Sequence, residues 1–450
     1  MNKPLKMNNA ELISKPRVPQ GHLFSSNDGS HLLVSDGSRI FGISEELALN
    51  FEHAMNLNDV QAFDSLLVKY GLDAPPFVTD TPPQSFPLRS ISLAVAQKCN
   101  LGCTYCYAEG GDFGGPAKNM PEEIAFASIE RLINGTLQGE QVNIAFLGGE
   151  PMINRKLIYS ATKFAKDRAE KKNIKVGFSI TTNGTLVTVN DGEFFEQNGF
   201  AVTISLDGVG EVHDGQRAFK GGQGSYARII ERIKPLLTMQ HNMQVSARVT
   251  VTPRNLQLVE TLDTLIDLGF HSVGFSPMLS SPTGKDEMNM PDLEVMLNQM
   301  IECGQEFVRK IKTGQRYPFS NIVNALREIH RGTHRPYPCG AGAGYMGVSA
   351  DGGLFACHRF VDDEKGKMGD VNTGIGKEQQ KAWLADRHVH FQEPCKSCWA
   401  RYLCGGGCHH EVIHRGRPAC DYIRGWLHFC LQTYVALLEE TPEYFASKPN

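Results

Sequence analysis

The chain has 450 residues, of which 41% are hydrophobic and 21% charged, and its formal net charge is −4. This length exceeds one ordinary hydrophobic core, so we expect two or three domains. The charge balance offers no general attraction to nucleic acid or anionic lipid, and no apolar run is long enough to cross a bilayer. We therefore expect it to bind neither nucleic acid nor membrane. Since the N-terminus lacks the apolar stretch of a secretory signal, we also expect a cytoplasmic protein.

The first 85 residues contain no cysteine and combine short alternating runs with two helix-like windows. This pattern predicts a small α+β domain over residues 1–85. The stretch that follows, DAPPFVTDTPPQSFP, is rich in proline, which removes backbone donors and favours extended conformations. We interpret it as a linker and place the first domain boundary there.

Residues 86–315 alternate β-branched strands with amphipathic helical windows, which is typical of strand–helix units around a parallel sheet. Six strands are predicted, with the sequences SISLAVA, VNIAFLG, VGFSITT, AVTISLD, QVSARVTV and SVGFSP. Six units form an incomplete barrel, so the predicted fold class is α/β, with a partial (β/α)6 barrel. Reactive groups in such folds lie at the C-terminal ends of the strands.

Residues 316–450 lose this alternation and become rich in cysteine, glycine and histidine, as in CWARYLCGGGCHHE. Eight of the twelve cysteines of the chain lie after residue 335. In a reducing cytosol such clustering indicates metal ligation before disulfides, and the disulfide alternative would require export. We expect short hairpins, loops and a helix that metal clusters hold together in place of a large apolar core.

The segment CNLGCTYC follows the first predicted strand and places Cys99, Cys103 and Cys106 at a Cys-x3-Cys-x2-Cys spacing. Three thiolates on a tight loop can hold three irons of a [4Fe–4S] cluster and leave the fourth iron open. The alternatives are a zinc site or buried free thiols. Zinc sites usually supply four ligands in paired spacings, which this loop lacks.

With a tyrosine before its third cysteine, CNLGCTYC resembles the signature loop of the radical S-adenosylmethionine (SAM) superfamily. The resemblance implies that the open iron chelates SAM and that reductive cleavage gives a 5′-deoxyadenosyl radical. The strand ends GGEP, TTNG and SLDG and the arginine of HDGQR agree with it. The residues thereby implied in SAM binding are Tyr105, Gly148, Gly149, Glu150, Pro151, Asn183, Ser205 and Arg217. The alternatives are a plain strand-to-helix turn for GGEP and a surface role for the arginine.

The later cysteines, in the order CGAGAGYMGVSADGGLFAC, CKSCWARYLCGGGC and two single cysteines, resemble the SPASM domain of radical SAM enzymes that modify peptides. That resemblance implies two auxiliary clusters, hence three [4Fe–4S] clusters in all. It assigns Cys339, Cys357 and Cys408 to the first auxiliary cluster and Cys395, Cys398, Cys404 and Cys420 to the second. Either Cys430 closes the first cluster, or its fourth iron stays open to a substrate thiolate. The alternative is a zinc ribbon, and Cys303 is predicted to be a buried small hydrophobe.

The stretches SITTNGT, FAVTISLDGVG, VSARVTVTPRNL, GFHSVGFSPML and CDYIRGWLHFC resemble the subgroup of this family that matures quinohemoprotein amine dehydrogenase. The resemblance implies thioether bonds between cysteine sulfurs and methylene carbons of aspartate or glutamate in the small subunit of that dehydrogenase. It also implies a low-potential electron donor such as a flavodoxin. By analogy, residues 1–85 hold the leader portion of the substrate.

A carboxylate at a barrel strand end would help to deprotonate the substrate thiol or position the substrate, and Asp207 is the first candidate and Asp214 the second. The alternative is that both aspartates contact the cofactor or stabilise turns. At the level of function, the alternatives are another peptide modification, such as formylglycine formation or carbon–carbon crosslinking, and a noncatalytic metal-binding scaffold.

Overall fold

The computed structural model describes residues 20–446. Its strands are β1 (Gly21–Ser26), β2 (Gly29–Val34), β3 (Arg39–Ile43), β4 (Ser90–Gln97), β5 (Lys118–Asn119), β6 (Gln141–Gly148), β7 (Lys175–Thr182), β8 (Ala201–Ser205), β9 (Gln244–Val251), β10 (Ser272–Pro277), β11 (Tyr345–Val348), β12 (Gly353–Phe355), β13 (Lys367–Asp370) and β14 (Gly374–Ile375). All six predicted barrel strands are confirmed, as β4 and β6 to β10.

The helices alternate with these strands through the barrel and then cluster near the C-terminus. They are α1 (Glu45–Asn56), α2 (Val60–Lys69), α3 (Glu122–Asn134), α4 (Arg155–Lys172), α5 (Val189–Gln197), α6 (Glu211–Asp214), α7 (Tyr226–Thr238), α8 (Leu258–Asp267), α9 (Met290–Lys312), α10 (Ser320–His330), α11 (Lys377–Arg387), α12 (Arg401–Cys404), α13 (His409–Arg415), α14 (Cys420–Glu440) and α15 (Glu443–Ala446). Within the described part of the chain, no helix is long and apolar enough to span a membrane.

The barrel sheet runs in the order β10-β9-β8-β7-β6-β4, and each neighbouring pair is parallel. Strand β4 is buried at almost every position, because helices cover one face and the barrel interior covers the other. All C-terminal strand ends therefore meet at one rim. The residues predicted to bind SAM follow β4, β6, β7 and β8 at this rim.

The N-terminal region forms a three-stranded antiparallel sheet, β1-β2-β3, with α1 and α2 packed on it. Leu32, Phe51 and Phe63 form the centre of its own small core. The predicted α+β character is thus confirmed for the described residues of this segment. Its first 19 residues lie outside them.

The region after residue 315 is more closely joined to the barrel than the sequence predicts. Strand β11 pairs in parallel with β4, and the hairpins β11 to β14 extend the same sheet by antiparallel pairing. Helix α14 packs on α9 and α10, α10 packs against β10, and both α10 and α14 contribute to the barrel's hydrophobic core. The expected hairpins and helix are present, but part of this region shares its core with the barrel instead of relying on clusters alone.

Candidate active site and cluster-binding cysteines

The loop that carries the first three cysteines is held along its length by the segment that follows β8. Leu101 forms a bridge with Phe219, the Gly102 amide donates to the Ala218 carbonyl (2.8 Å), and the Thr104 amide donates to the Gln216 carbonyl (3.2 Å). These backbone contacts determine the path of the loop independently of any bound group. The loop is therefore pre-organised.

The thiols of this loop face one another. Burial raises the pKa of the Cys103 thiol to about 12, and negative charge on Cys106 and Cys99 acts in the same direction, against the lowering effect of Arg217. Burial also raises the pKa of Cys99, to which charge on Cys106 contributes. Proximity of three thiols is costly unless a cation binds them, so the arrangement favours metal ligation.

The separation of the sulfur atoms can be compared with the spacing that a single zinc ion requires. A tetrahedral zinc site with Zn–S bonds of about 2.3 Å holds its sulfurs about 3.8 Å apart. Among the described residues, no three cysteine sulfurs lie within 4.8 Å of one another, and all twelve cysteines are free. As they stand, the cysteine groups are therefore not at the spacing of a single tetrahedral zinc ion.

Three buried side chains meet beside this loop. Arg217 Nη1 donates to the Tyr105 hydroxyl (2.7 Å) and to Asp207 Oδ2 (3.3 Å), and the Tyr105 hydroxyl donates to the same carboxylate oxygen. The Thr250 amide donates to Asp207 Oδ1 (2.7 Å). Both oxygens of Asp207 are thus engaged, so this aspartate orients Tyr105 and Arg217.

Arg217 also carries an unused donor. Its Nε is buried and has no hydrogen-bond partner, whereas its charge acts on Cys99, Cys103 and Glu150. A buried guanidinium nitrogen left unpaired costs free energy unless a ligand binds it. The predicted carboxylate partner of Arg217 fits this observation, and the surface alternative is wrong because the residue is 9% exposed.

The GGEP turn packs directly against the cysteine loop. A Cβ atom at Gly148 would lie 2.2 Å from the Ala96 carbonyl oxygen, and one at Gly149 would lie 2.5 Å from that of Lys98. Gly148 also has a φ of 150°. Only glycine allows the end of β6 to approach the cysteine loop this closely.

Glu150 of the same turn is fully buried and is used within the protein. Its carboxylate accepts from the Met152 amide (3.0 Å), the Thr182 hydroxyl (2.7 Å) and the Asn183 amide (2.7 Å). It therefore connects the end of β6 to the end of β7. This contact places Asn183 beside the cysteine loop, where its Nδ2 donates to Asn100 Oδ1 (2.9 Å) and lies 3.7 Å from Cys99 Sγ.

The remaining predicted cofactor residues lie at the same rim. Pro151, the last residue of the GGEP turn, is buried, and Ser205 is half-buried at the end of β8. Asp214 has a different role from the predicted one. Its Oδ1 accepts from the Ser225 amide (2.7 Å) and the Tyr226 amide (2.8 Å), which are the first backbone donors of α7. Asp214 thus stabilises a helix start, and we do not assign it a part in the chemistry.

The C-terminal cysteines divide into two groups. Burial raises the pKa of Cys357 to about 12, and charge on Cys408 and Cys339 contributes to this rise. Burial likewise raises the pKa of Cys395 to about 11, with contributions from three further thiols against the lowering effect of Arg417. Those three are Cys404, Cys420 and Cys398. These are the two ligand sets that the resemblance implies.

The second group surrounds a cavity. All four of its cysteines line this cavity together with Arg417 and Arg424. Three consecutive glycines after Cys404 have positive φ values of 72°, 95° and 79°. Burial raises the pKa of the Cys404 thiol, against the lowering effect of the hydrogen bonds from the Gly406 and Gly407 amides. This turn points backbone donors at a cluster-binding sulfur, which favours its thiolate form.

Two cysteines lie apart from these groups. Cys430 is fully buried in α14, and burial alone raises its pKa, with no thiol among the causes. The structure therefore does not bring Cys430 to the first auxiliary group, which this cysteine would close in one of the two alternatives that the sequence leaves open. Cys303 is fully buried in α9, as predicted.

Two further residues lie between the first loop and the first auxiliary group, and sequence reasoning missed both. Burial raises the pKa of Tyr107, with contributions from Cys106 and Cys357, so this ring faces both cysteine groups. The guanidinium of Arg359 stacks 5.6 Å from the centre of that ring and its Nη1 lies 3.8 Å from Cys408 Sγ. Each of them lies within two residues of a predicted cluster ligand, and this was the sequence feature that could have identified them.

Comparison with protein families identifies the barrel. The model of the radical SAM superfamily matches residues 93–265. An uncharacterised protein of Methanocaldococcus jannaschii is 30% identical over 234 residues, which cover 51% of this chain and 76% of that protein. A cysteine-type anaerobic sulfatase-maturating enzyme of Clostridium novyi is 27% identical over 346 residues, which cover 71% of this chain and 88% of the enzyme.

Solved structures share the fold. The native sulfatase-maturating enzyme anSMEcpe with bound SAM superposes with a TM-score of 0.64 at 20% identity, covering 78% of this chain and 100% of that one. The same enzyme with SAM and the Cp18Cys peptide gives a TM-score of 0.62. About a fifth of the present chain therefore has no counterpart in that fold.

Proposed function

Because the chain belongs to the radical SAM superfamily, we propose that it forms thioether crosslinks in a peptide substrate, the small subunit of quinohemoprotein amine dehydrogenase. Each crosslink would join a cysteine sulfur to a methylene carbon of aspartate or glutamate. At the coarser level, the chain is a radical SAM enzyme of the SPASM type that acts on peptides. Its cofactors are SAM and [4Fe–4S] clusters.

When bound, SAM and its cluster supply a 5′-deoxyadenosyl radical that removes a hydrogen atom from the substrate. We propose that Cys99, Cys103 and Cys106 hold that cluster. Arg217 would bind the SAM carboxylate through its unpaired Nε, while Tyr105 and Asp207 keep the guanidinium in place. These buried partners exclude water from the reacting centre.

The observation that carries the thioether proposal is the first auxiliary group. Among the described thiols, only Cys408 and Cys339 add to the rise in the pKa of Cys357. Cys430 lies elsewhere, since burial alone raises its pKa. A cluster with three protein ligands leaves one iron open to a substrate thiolate. That thiolate would be the sulfur to be crosslinked, and it would lie on the side that faces Tyr107 and the first cysteine loop.

We propose that the N-terminal domain holds the leader of the peptide, and its contacts with the segment around the second auxiliary group support this. His22 stacks on Trp399 with ring centres 3.8 Å apart, and Arg401 pairs with Asp36 (2.6 Å). Trp399 directly follows Cys398 of the second auxiliary group. A low-potential donor such as a flavodoxin in the cytoplasm would supply the electrons.

Formylglycine formation is the second candidate, and the similarity to sulfatase-maturating enzymes favours it. A third possibility is a scaffold without catalysis. One experiment separates all three. The anaerobically reconstituted enzyme is incubated with SAM, reductant and either the dehydrogenase small subunit or a sulfatase-derived peptide, and the products are analysed by mass spectrometry and for deoxyadenosine.

Thioether formation would remove two hydrogen atoms per crosslink and make the cysteine resistant to alkylation, with fragmentation mapping its sulfur to an acidic residue. Formylglycine would instead give an aldehyde that reacts with an aminooxy probe, and it would contradict the thioether proposal. Deoxyadenosine without either product would contradict both substrates. Absence of deoxyadenosine from a fully iron-loaded sample would leave only the scaffold.

A further inference from the structure

Two histidines and an aspartate near the first auxiliary group form a cluster that the proposed function does not use. His410 and His414 lie four residues apart on α13, and Asp363 lies in the segment that follows Cys357. One nitrogen or carboxylate oxygen from each side chain lies within 4.8 Å of the others. No other three histidine, cysteine, aspartate or glutamate side chains within residues 20–446 come so close together.

The carboxylate of Asp363 is oriented before any ion binds. Its Oδ1 accepts from the Lys365 amide (3.0 Å), and its Oδ2 lies 2.8 Å from Nε2 of His414. One oxygen is thus held by the backbone and the other is presented to the histidines. Ligands of structural metal sites are commonly held in this way by neighbouring hydrogen bonds.

The third member has an unsatisfied atom. His410 Nδ1 is buried and has no hydrogen-bond partner. The Phe360 ring lies 4.9 Å from the His410 ring and 6.1 Å from the His414 ring, which restricts both imidazoles.

We propose that His410, His414 and Asp363 bind one divalent transition-metal ion of the zinc class. Two imidazoles and one carboxylate are a donor set that zinc prefers. Bonds of about 2.0–2.1 Å place such ligand atoms about 3.4 Å apart, so small side-chain rotations from the present separations are sufficient. His414 is exposed, which provides a path of entry and room for a water ligand.

The ion would connect the segment after Cys357 to the helix after Cys408. These two cysteines belong to the same proposed cluster, which already connects the chain segments that carry them. The ion would be a second connection between those segments. The site does not depend on which peptide is modified. It also uses no cysteine, because all three ligands are nitrogen or oxygen donors.

The test uses the reconstituted holoenzyme with its full iron content. The protein is dialysed anaerobically against a buffered free zinc concentration, and zinc and iron per chain are measured by elemental analysis. We expect about one zinc per chain in the parent protein, with at least tenfold weaker binding in Asp363→Asn and His414→Ala. The matched control His53→Ala, which removes an exposed histidine on α1, should bind zinc as the parent does.

Unchanged iron content in each variant shows that the clusters and the surrounding fold persist. Asp363→Asn keeps an oxygen for the Lys365 amide, so it isolates the loss of charge. Absence of zinc uptake by the parent protein, or equal uptake by all variants, would overturn the proposal. X-ray absorption at the zinc edge adds a test that needs no variant, since nitrogen and oxygen ligands at about 2.0–2.1 Å support the site and sulfur at about 2.3 Å overturns it.

Discussion

The first cysteine loop and the C-terminal cysteine array are held in different ways. The loop lies at the rim of the parallel barrel sheet and is attached through backbone hydrogen bonds to the segment after β8. The array lies mostly in turns and in short helices such as α12 and α13. The loop therefore has its geometry from the barrel, whereas much of the array depends on whatever its thiols bind.

Because of this difference, the two regions should respond differently to loss of metal. The barrel core is continuous from β4 to β10 and needs no ligand to exclude water. Around the second auxiliary group, Val389, Cys395 and Tyr402 form only a small separate cluster. We therefore expect local consequences for the barrel and for the strands that extend its sheet, and wider ones for residues 389–420.

The largest expected effect comes from the first loop. Cys103→Ser should abolish deoxyadenosine formation, because the loop can no longer complete a three-thiolate cluster site. Iron per chain should fall by about four, since the auxiliary cysteines are untouched. Deoxyadenosine by chromatography and iron by elemental analysis check this. Cys303→Ala is the matched control, and residual cleavage in Cys103→Ser would contradict the assigned ligands.

Arg217 tests the barrel rim without removing a cysteine. Arg217→Lys keeps the positive charge beside Asp207 but loses the planar set of donors, so SAM binding should weaken about 10- to 100-fold. Equilibrium dialysis with labelled SAM measures the affinity. Arg228→Gln, an exposed arginine on α7, should leave it unchanged. Equal affinities for Arg217→Lys and the parent would remove Arg217 from the SAM site.

Iron removal compares the two regions directly. After anaerobic chelation, limited proteolysis should cut between residues 389 and 420 at least tenfold faster, because cluster ligation no longer holds these turns. The barrel fragment from 90 to 315 should resist cleavage. Mass spectrometry of the fragments identifies the sites. Equal protection of both regions would show that the array is stable without its clusters.

Variants of Cys408 and Cys430 distinguish a cluster ligand from a residue of the hydrophobic core. Cys408→Ser should lose about four irons per chain, whereas Cys430→Ala should lose none and destabilise the fold by about 1 kcal/mol through a small cavity. Iron analysis and calorimetry distinguish the two outcomes. Loss of iron from Cys430→Ala would restore this cysteine as the closing ligand.

The smallest effect is expected at Asp214. Asp214→Ala removes the acceptor for the Ser225 and Tyr226 amides and should cost about 1 kcal/mol of stability. Deoxyadenosine formation at a temperature well below the unfolding midpoint should stay at the parent rate. Calorimetry and the cleavage assay measure the two quantities. A large loss of cleavage with little loss of stability would return Asp214 to the chemistry.

Local patterns were sufficient for the barrel. Alternation of strands and helices predicts β4 and β6 to β10, because each strand is buried through its own β-branched residues. The cysteine spacing of the loop and the glycines of the GGEP turn are also local, since these residues meet at adjacent strand ends. Local sequence patterns were therefore enough to establish the fold class and the rim on which Cys99, Cys103 and Cys106 lie, whereas their role as cluster ligands stays a prediction.

Features that depend on contacts between distant segments became visible only in the tertiary structure. Pairing of β11 with β4 joins the C-terminal region to the barrel sheet, and no pattern within either strand specifies that partner. The proximity of Tyr107 to both cysteine groups, the helix-capping role of Asp214 and the burial of Cys430 arise in the same way. Residue type and spacing indicate what a side chain can bind, but packing between distant elements determines which groups surround it.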